Sequence, residues 1–392
     1  MNECIKSVHY ERSKDCVNAA PFTRENAQRV RAYHETWPGY SPTPLISLKN
    51  LAEHFGVSGL YVKDESYRFG LNAFKSLGGS YCLGRYIAEK YGVSMTFSDI
   101  TNADTDKITF ITATDGNHGR GIAWAAKMLG HHAVVLMPSG TVPERLANIQ
   151  KLGADARITD MNYDDTVKLA ADIAGKNGYV LVQDTSWEGY EVIPEWIMQG
   201  YLTMANEALE QLAGDKPTHV FLQAGVGSMA GALAGYFADV YGQERPITTI
   251  IEPNKADCIY RTARANDGEL HAVTGRMDTI MAGLACGIPC VRAWELLKDC
   301  ADNFVSMPDY VAAEGMRILA NPLHDDVRII SGESGASTFG FVCELMRNES
   351  LDDLRRELGI NAGSKILCFS TEGATDRENY RRIVWDGHYS SF

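Results

Sequence analysis

The stretch Ile108-Thr-Phe-Ile-Thr-Ala-Thr-Asp-Gly-Asn-His-Gly-Arg-Gly121 decides the fold of this chain. Its first residues are β-branched and aromatic, which favours a buried strand. A turn at Gly116 follows, and the apolar spacing after it predicts a helix over 116–129. A strand that runs through a glycine turn into a helix is one unit of a parallel α/β sheet.

The same alternation of strand and helix continues along the chain. In the first series we predict strands at 108–112, 133–137, 153–158 and 179–182, and helices at 116–129, 144–152 and 163–174. In a second series we predict strands at 218–223, 248–252 and 365–370, with a helix at 229–241. A helix over 196–212 would link the two series, and 254–309 has poor periodicity.

Two such series predict an α/β fold with two open, mostly parallel, twisted sheets flanked by helices. We expect residues 1–84 and 217–392 to form a large cofactor-binding domain and 85–216 a small substrate-side domain. Ligands of open parallel sheets bind at the carboxyl ends of the strands, so we expect the active site in the cleft between the domains.

Composition narrows the class of partner. The 392 residues carry 37 Lys and Arg against 50 Asp and Glu, a formal net charge of −13, which disfavours nucleic acid and anionic lipid as partners. The glycine-rich, uncharged stretch 217–238 fits a strand, loop and helix better than a membrane span. Nine scattered cysteines without a CxxC pair disfavour a disulfide framework and a zinc site, and we expect no metal and a cytoplasmic location.

Lys75, in Asn72-Ala-Phe-Lys-Ser-Leu-Gly-Gly, is the first candidate for chemistry. With Asn72 as the N-cap, the spacing predicts a helix with Lys75 in its first turn. A cation is unfavourable there, since the helix dipole is positive at that end. The alternatives are an ordinary solvated lysine and an amine of lowered pKa that is able to form a Schiff base.

Thr114-Asp-Gly-Asn-His is the second candidate, because the turn between strand and helix leaves backbone N–H groups for an anion. Asp115 lies in that turn, where a role as an N-cap is the alternative to chemistry. The third candidate is Gln223-Ala-Gly-Val-Gly-Ser-Met, whose glycines and Ser228 suit a phosphate. It lacks the Lys of a P-loop and the third Gly of a dinucleotide fingerprint.

Together these motifs resemble the pyridoxal-phosphate enzymes of the tryptophan-synthase-β fold type. The resemblance implies Lys75 as the Schiff-base lysine and Asn117 as a contact of the cofactor's ring oxygen. It implies that the phosphate binds at Gly225, Val226, Gly227, Ser228 and Met229, and that Ser370 faces the pyridine nitrogen. A homodimer is typical of the family.

Within that fold type the residue before Gly-Asn is usually Ser, whereas this chain has Asp115. Asp184, in Gln183-Asp-Thr-Ser-Trp-Glu-Gly-Tyr, is a second acid at a strand end, although a turn-forming role is its alternative. Two carboxylates suit a substrate with two ammonium groups. The chain thus resembles the diaminopropionate ammonia-lyases, carbon–nitrogen lyases that convert 2,3-diaminopropionate to pyruvate and two ammonia molecules.

This resemblance predicts the roles of the remaining residues. We expect Lys75 to take the Cα proton of the L-isomer and Asp115 that of the D-isomer, from opposite faces. Asp184 would bind the side-chain ammonium of the substrate. Thr114, His118 and Glu333 are further candidates for substrate binding; packing or capping for His118 and a helix-start acid for Glu333 are their alternatives.

Two other functions remain open from the sequence. A serine or threonine dehydratase of the same fold would share the cofactor residues, so Asp115 and Asp184 are the features that disfavour it. A small-molecule binding protein that has lost its chemistry would not need Lys75. Cys258 and Cys286 flank the poorly periodic region, and the sequence leaves open whether they pair.

Overall fold

The computed structural model describes residues 4–11, 13, 15–114 and 116–390, and the backbone alone at 164. Asp115 therefore lies outside the described residues. Within the described part of the chain, no helix is long and apolar enough to cross a membrane.

Eleven strands are present among the described residues. They are β1 (Lys6–His9), β2 (Leu45–Ser47), β3 (Gly59–Asp64), β4 (Thr109–Ala113), β5 (His132–Met137), β6 (Asp155–Ile158), β7 (Val180–Leu181), β8 (His219–Gln223), β9 (Ile247–Pro253), β10 (Asn303–Met307) and β11 (Lys365–Ser370).

Helices separate most of these strands. The α-helices are α1 (Arg24–Glu35), α2 (Lys49–Phe55), α3 (Ser76–Tyr91), α4 (Phe97–Asn102), α5 (Asn117–Met128), α6 (Pro143–Gln150), α7 (Tyr163–Asn177), α8 (Val192–Gly200), α9 (Leu202–Gln211), α10 (Ser228–Tyr241), α11 (Cys258–Ala265), α12 (Val291–Cys300), α13 (Asp309–Ala320), α14 (Ser337–Arg347), α15 (Asp352–Glu357) and α16 (Arg377–Val384). Short 3-10 helices lie at Val17–Phe22, Glu65–Gly70, Gly242–Glu244, Ala282–Leu284 and Glu349–Leu351.

The chain divides into two compact units. The first comprises the described residues of Met1–Arg24, Pro42–Ala73 and Met204–Phe392, and the second comprises those of Glu25–Ser41 and Phe74–Thr203. The predicted domain boundaries at 84 and 216 lie about ten residues from these divisions. The segment Glu25–Ser41, which the prediction assigned to the large domain, is grouped with the second unit because α1 packs on α3 through the Tyr33 hydroxyl, which donates to Ser80 O at 3.0 Å.

A seven-stranded sheet in the order β1-β10-β9-β8-β11-β3-β2 forms the centre of the first unit. Its inner pairs are parallel, and only the edge strands β1 and β2 pair in antiparallel fashion. The strands β8 and β10 are buried at every residue, which is typical of a parallel sheet covered on both faces. Phe341 and Phe221 are fully buried in the core where α14 covers the sheet, with ring centroids 5.9 Å apart.

A four-stranded parallel sheet in the order β6-β5-β4-β7 forms the centre of the second unit. Its core includes Ile111, Leu136 and Ala170, all fully buried. Both sheets are mostly parallel and flanked by helices, so the predicted fold class is confirmed.

Glycines set the close packing of α3 on α5 in the second unit. A Cβ added to Gly121 of α5 would lie 2.9 Å from the backbone oxygen of Lys75, and one added to Gly79 would lie 3.1 Å from the Gly121 backbone. Neither helix has room for a side chain at these positions. The approach therefore places Lys75, at the start of α3, against the first turns of α5.

Two local predictions were wrong, and a region without a prediction proved regular. The helix after Asn72 begins only at Ser76, because Asn72 has a left-handed φ of 57° and its carbonyl accepts from Gly373 N at 3.1 Å. The predicted helix over 196–212 is two helices, α8 and α9, divided at Tyr201. The poorly periodic region 254–309 contains regular structure, namely α11, α12 and β10.

Candidate active site

Lys75 and Asp184 form the centre of the candidate site in the second unit. The Lys75 Nζ donates to Asp184 Oδ2 at 2.5 Å, although the residues are 109 positions apart. The Lys75 side chain keeps 19% of its surface exposed, and that of Asp184 keeps 8%. The amine is thus held in place and remains accessible.

His118 lies on the other side of Asp184. Its Nδ1 is 3.7 Å from Asp184 Oδ2, and its Nε2 donates to the carbonyl of Val182 at 2.9 Å. Burial by itself would raise the pKa of the Asp184 carboxyl, but the charges of His118 and Lys75, with the hydrogen bond from Lys75, lower that pKa to about 2. Asp184 is therefore a carboxylate at neutral pH, in contact with an ammonium group.

Two aromatic rings stand beside the Lys75 amine. The Phe74 ring centroid is 5.6 Å from Lys75 Nζ and 4.8 Å from the ring centroid of Tyr201. Tyr201 is fully buried, and its burial raises the pKa of the phenol, while the positive charge of Lys75 acts in the opposite direction. Sequence reasoning missed Tyr201, because it lies within what was predicted to be the linking helix.

The first turn of α5 carries the other candidates of this unit. Asn117 begins the helix and is half-buried, and Gly116 N donates to Thr114 Oγ1 at 3.0 Å. A Cβ on Gly119 would lie 2.3 Å from Thr114 Cγ2, so the helix start packs directly on the end of β4. The structure thus brings Lys75, Asp184, His118, Thr114 and Asn117 together around the ends of β4 and α3.

The glycine-rich loop lies in the first unit, between β8 and α10. Gly227 has a φ of +95°, and a Cβ there would lie 2.7 Å from Ile259 Cδ1, so both conformation and space require glycine. The first helical hydrogen bond runs from Gly231 N to Gly227 O, so α10 begins directly at this loop. Such a helix start is a ready site for a phosphate.

Ser370 ends β11 in the same unit and is almost fully buried. Its hydroxyl donates to Ser331 Oγ at 2.8 Å, and Gln223 Nε2 donates to the adjacent Phe369 O at 2.9 Å. Gln223 Oε1 is buried and has no hydrogen-bond partner among the described residues. Sequence reasoning missed Ser331 and Gln223 as site residues, although Gln223 opens the glycine-rich motif Gln223-Ala-Gly-Val-Gly-Ser-Met.

Glu333 is buried beside the end of β11. Its Oε1 accepts from Asn379 Nδ2 at 2.5 Å. The neighbouring Ser334 N donates to Glu372 Oε1 at 3.1 Å, and Gly332 N to Glu372 O at 2.8 Å. These bonds tie the segment 331–334 to the residues after β11; substrate binding by Glu333 stays a prediction.

The family whose profile is described as "Pyridoxal-phosphate dependent enzyme" matches residues 36–356. That match covers most of the chain, which therefore belongs to this family. The diaminopropionate ammonia-lyase of Escherichia coli K12 is 50% identical over 374 residues, covering 94% of either chain. At that identity and coverage, the chain belongs to the diaminopropionate ammonia-lyase branch of the family.

Solved structures support the same family assignment. The Escherichia coli diaminopropionate ammonia-lyase in complex with D-serine has a TM-score of 0.94 and 46% identity, covering 100% of this chain and 99% of that one. The same enzyme in complex with an aminoacrylate-PLP azomethine reaction intermediate has a TM-score of 0.92 with the same identity and coverage. The predicted family resemblance is confirmed.

The residues of this chain fit pyridoxal phosphate in three respects. The loop at Gly227 adopts a backbone that only glycine accommodates and presents a helix start to an anion. Ser370 offers a buried hydroxyl at a strand end. Lys75 offers an amine that is accessible and held in place.

Proposed function

We propose that this chain catalyses an α,β-elimination that converts 2,3-diaminopropionate, in both its D and L forms, and water to pyruvate and two ammonia molecules. One observation carries the substrate assignment: Asp184 binds an ammonium group, that of Lys75, at 2.5 Å. The side chain of diaminopropionate carries the same group. The 50% identity to a diaminopropionate ammonia-lyase over nearly the whole chain supports this substrate.

Pyridoxal phosphate supplies an aldehyde that takes up the substrate amine and a ring that accepts the electrons left at Cα. We propose that Lys75, Asn117, Ser370 and the loop Gly225, Val226, Gly227, Ser228 and Met229 serve this cofactor. The helix start at Ser228 would stabilise the phosphate charge, and the Ser370 hydroxyl would hydrogen-bond to the ring nitrogen.

Lys75 exchanges protons with the substrate in this proposal. Once the amine is displaced by the substrate it lies free beside Cα, where a neutral Nζ takes the Cα proton of the L-isomer. The β-ammonium then leaves as neutral ammonia with the electrons of the C–N bond, and Lys75 keeps the proton that it took from Cα. The Asp184 carboxylate stabilises an ammonium group beside it, whether that group belongs to Lys75 or to the substrate.

Asp115 takes the Cα proton of the D-isomer, since the mirror-image hydrogen faces away from Lys75. Its place in the sequence, directly before Gly116 and the start of α5, supports this role. Replacement by the isosteric amide, Asp115→Asn, should reduce kcat/KM for D-diaminopropionate by on the order of 10²-fold while sparing the L-isomer. Equal losses on both isomers would make Asp115 a binding group.

A substrate panel tests the proposed reaction. Pyruvate release should have a higher kcat/KM for L- and D-diaminopropionate than for L-serine, D-serine or L-threonine, because only the diamine pairs with Asp184. Faster turnover of serine would instead assign the chain to the serine or threonine dehydratases. Absence of turnover and of a bound chromophore after addition of pyridoxal phosphate would indicate a binding protein.

Four finer features belong to the same proposal. We propose a homodimer, as is typical of the family, and a cytoplasmic location, in keeping with nine free cysteines. We also propose that 1–84 and 217–392 act as the cofactor-binding domain and 85–216 as the substrate-side domain, with Thr114, His118 and Glu333 contacting substrate. Sedimentation velocity of the purified enzyme would test the dimer.

A further inference from the structure

The strand before Asp184 is short, and side chains extend its hydrogen bonding beyond the paired residues. β7 (Val180–Leu181) pairs with β4, and the ladder continues to Val182, whose N–H donates to Ile111 O at 2.8 Å. The next residue, Gln183, is fully buried. Its backbone N–H needs a partner, because a buried N–H group without one costs free energy.

The Tyr190 hydroxyl is that partner. It accepts from Gln183 N at 2.9 Å and donates to Leu181 O, also at 2.9 Å. One hydroxyl thus joins the backbone on both sides of Val182, whose own carbonyl accepts from His118 Nε2. The main chain is therefore fixed by hydrogen bonds at three successive residues, directly before the carboxylate residue of the site.

The Gln183 side chain fixes the same point from another direction. Its Oε1 accepts from Ala113 N and from Thr112 Oγ1, both at 3.1 Å, at the end of β4. Gln183 is thus anchored to β4 through its side chain and to Tyr190 through its backbone. Because Asp184 follows directly, its main chain has little freedom to shift.

Tyr190 is itself held in a tight turn. Its N–H donates to Trp187 O at 2.8 Å, and Gly189 between the two residues has a left-handed φ of +84°. The rings of Trp187 and Tyr190 stack with their centroids 4.4 Å apart and an interplanar angle of 21°. Stacking of this kind restricts both rings, so the hydroxyl reaches the backbone of 181–183 from a fixed position.

We propose that Tyr190 is a positioning residue, whose hydroxyl sets the backbone before Asp184 and thereby keeps the Asp184 carboxylate 2.5 Å from Lys75 Nζ. This inference rests on the proposed function, in which Asp184 binds the side-chain ammonium of the substrate. Tyr190 acts through Asp184 and does not touch the substrate. A displacement of about 1 Å at a binding group is enough to reduce the rate on the order of 10²-fold, so a hydroxyl that fixes the backbone affects turnover.

A double-mutant cycle of the holoenzyme on diaminopropionate tests the positioning role. Tyr190→Phe removes only the hydroxyl and should reduce kcat/KM about 10-fold, mainly by raising KM, since the carboxylate loses its alignment. In the Asp184→Asn background the same change should cost less than about two-fold, because the group that it positions is gone. A loss that stays about 10-fold in that background would overturn the inference, whatever the substrate contact of Asp184 proves to be.

A comparison of two substrates separates this inference from the proposed function. If Asp184 binds the side-chain ammonium, Asp184→Asn and Tyr190→Phe should both lower kcat/KM for diaminopropionate more than for L-serine. Equal losses on both substrates in Asp184→Asn would contradict the substrate contact, and the cycle would then decide the role of Tyr190. A selective loss in Asp184→Asn with an unselective one in Tyr190→Phe would overturn the role of Tyr190 alone.

A second variant keeps the test valid if Tyr190→Phe fails to fold. Trp187→Leu removes the stacked ring but keeps the Tyr190 hydroxyl, and it should reduce kcat/KM about three-fold, a loss that disappears in the Asp184→Asn background. Persistence of the loss in that background would contradict the inference. Circular dichroism and urea midpoints check that each variant is folded.

Tyr236→Phe is the matched control, because it removes a buried hydroxyl that is bonded to Asn206 in the first unit. It should change kcat/KM less than about two-fold on either substrate, with or without Asp184→Asn. If Tyr236→Phe and Tyr190→Phe gave the same losses in both backgrounds, the Tyr190 hydroxyl would contribute only to packing, and the inference would be wrong.

Discussion

Lys63 and Lys75 each pair with a buried carboxylate, and the surroundings of the two lysines differ. In the first unit, Lys63 is fully buried and donates to Thr43 O, Glu207 Oε2 and Gln211 Oε1 at 2.7, 2.7 and 2.9 Å. In the second unit, Lys75 pairs with Asp184 but keeps 19% of its surface exposed. An ammonium with all three protons bound and no exposure serves structure, whereas a lysine that is partly open to solvent is able to react.

The neighbours of Lys63 extend this contrast. Glu207 also accepts from Arg68, which donates to Glu65 as well, and all of these side chains are almost fully buried. Burial is the largest influence on Lys63 and lowers its pKa, whereas the negative charges of Glu207 and Glu65 act to raise that pKa. Every charge in this cluster has a partner, so its removal should affect folding before chemistry.

Replacement of the reactive lysine should have the largest effect. Lys75→Ala removes the amine that attaches the cofactor and moves the proton, so kcat should fall on the order of 10³-fold or more. The visible absorbance of the holoenzyme should change with it, and pyruvate assays would measure the loss. Near wild-type turnover of this variant would show that Lys75 has only a structural role, like that of Lys63.

Asp184→Asn should have the second largest effect on activity. Loss of the carboxylate should raise KM for diaminopropionate and reduce kcat/KM on the order of 10²-fold, while serine, which lacks the second ammonium, is spared. Equal losses with both substrates would show that Asp184 acts only through Lys75 and does not bind the side-chain ammonium of the substrate. Steady-state kinetics on the two substrates distinguish these outcomes.

The same carboxylate predicts a pH dependence of stability. The pKa of Asp184 is lowered from 3.8 to about 2 in the folded chain, so its stabilising contribution is present above about pH 4 and is lost as pH falls through 2. That contribution is on the order of 2 kcal/mol. Urea unfolding of the wild type should weaken between pH 4 and 2 more than that of Asp184→Asn; parallel curves would contradict this.

Lys63→Met probes the structural member of the comparison. It leaves buried carboxylate charge without one of its cations, which should lower the free energy of unfolding by on the order of 3 kcal/mol. The folded fraction should keep its turnover. Lys365→Met is the matched control, because Lys365 pairs with Asp215 on a partly exposed surface and should cost less than about 1 kcal/mol. Equal urea midpoints for the two variants would contradict the distinction.

Tyr201→Phe should have the smallest effect. It removes a buried hydroxyl beside Lys75 and should lower kcat by a few-fold, with a shift of its pH profile, because the amine loses a polar neighbour. Tyr236→Phe, which removes another buried hydroxyl bonded to Asn206, should leave the profile unchanged. Identical pH profiles for the two variants would show that Tyr201 only packs.

Much of this arrangement follows from local sequence. The strand, turn and helix at 108–129 and the loop before α10 are local patterns, and β4, α5 and α10 begin within one or two residues of their predicted starts. The contacts that separate Lys75 from Lys63 are not local. Lys75 meets Asp184 across 109 positions and Lys63 meets Glu207 across 144, and such distances depend on packing that periodicity does not encode.

Borohydride reduction of the holoenzyme tests the central contrast most directly. Reduction should fix pyridoxal phosphate to Lys75, so a tryptic digest should yield peptide 69–85 with the cofactor mass and an uncleaved lysine, while Lys63 stays unlabelled. Cofactor mass on Lys63, or on any lysine other than Lys75, would contradict the account.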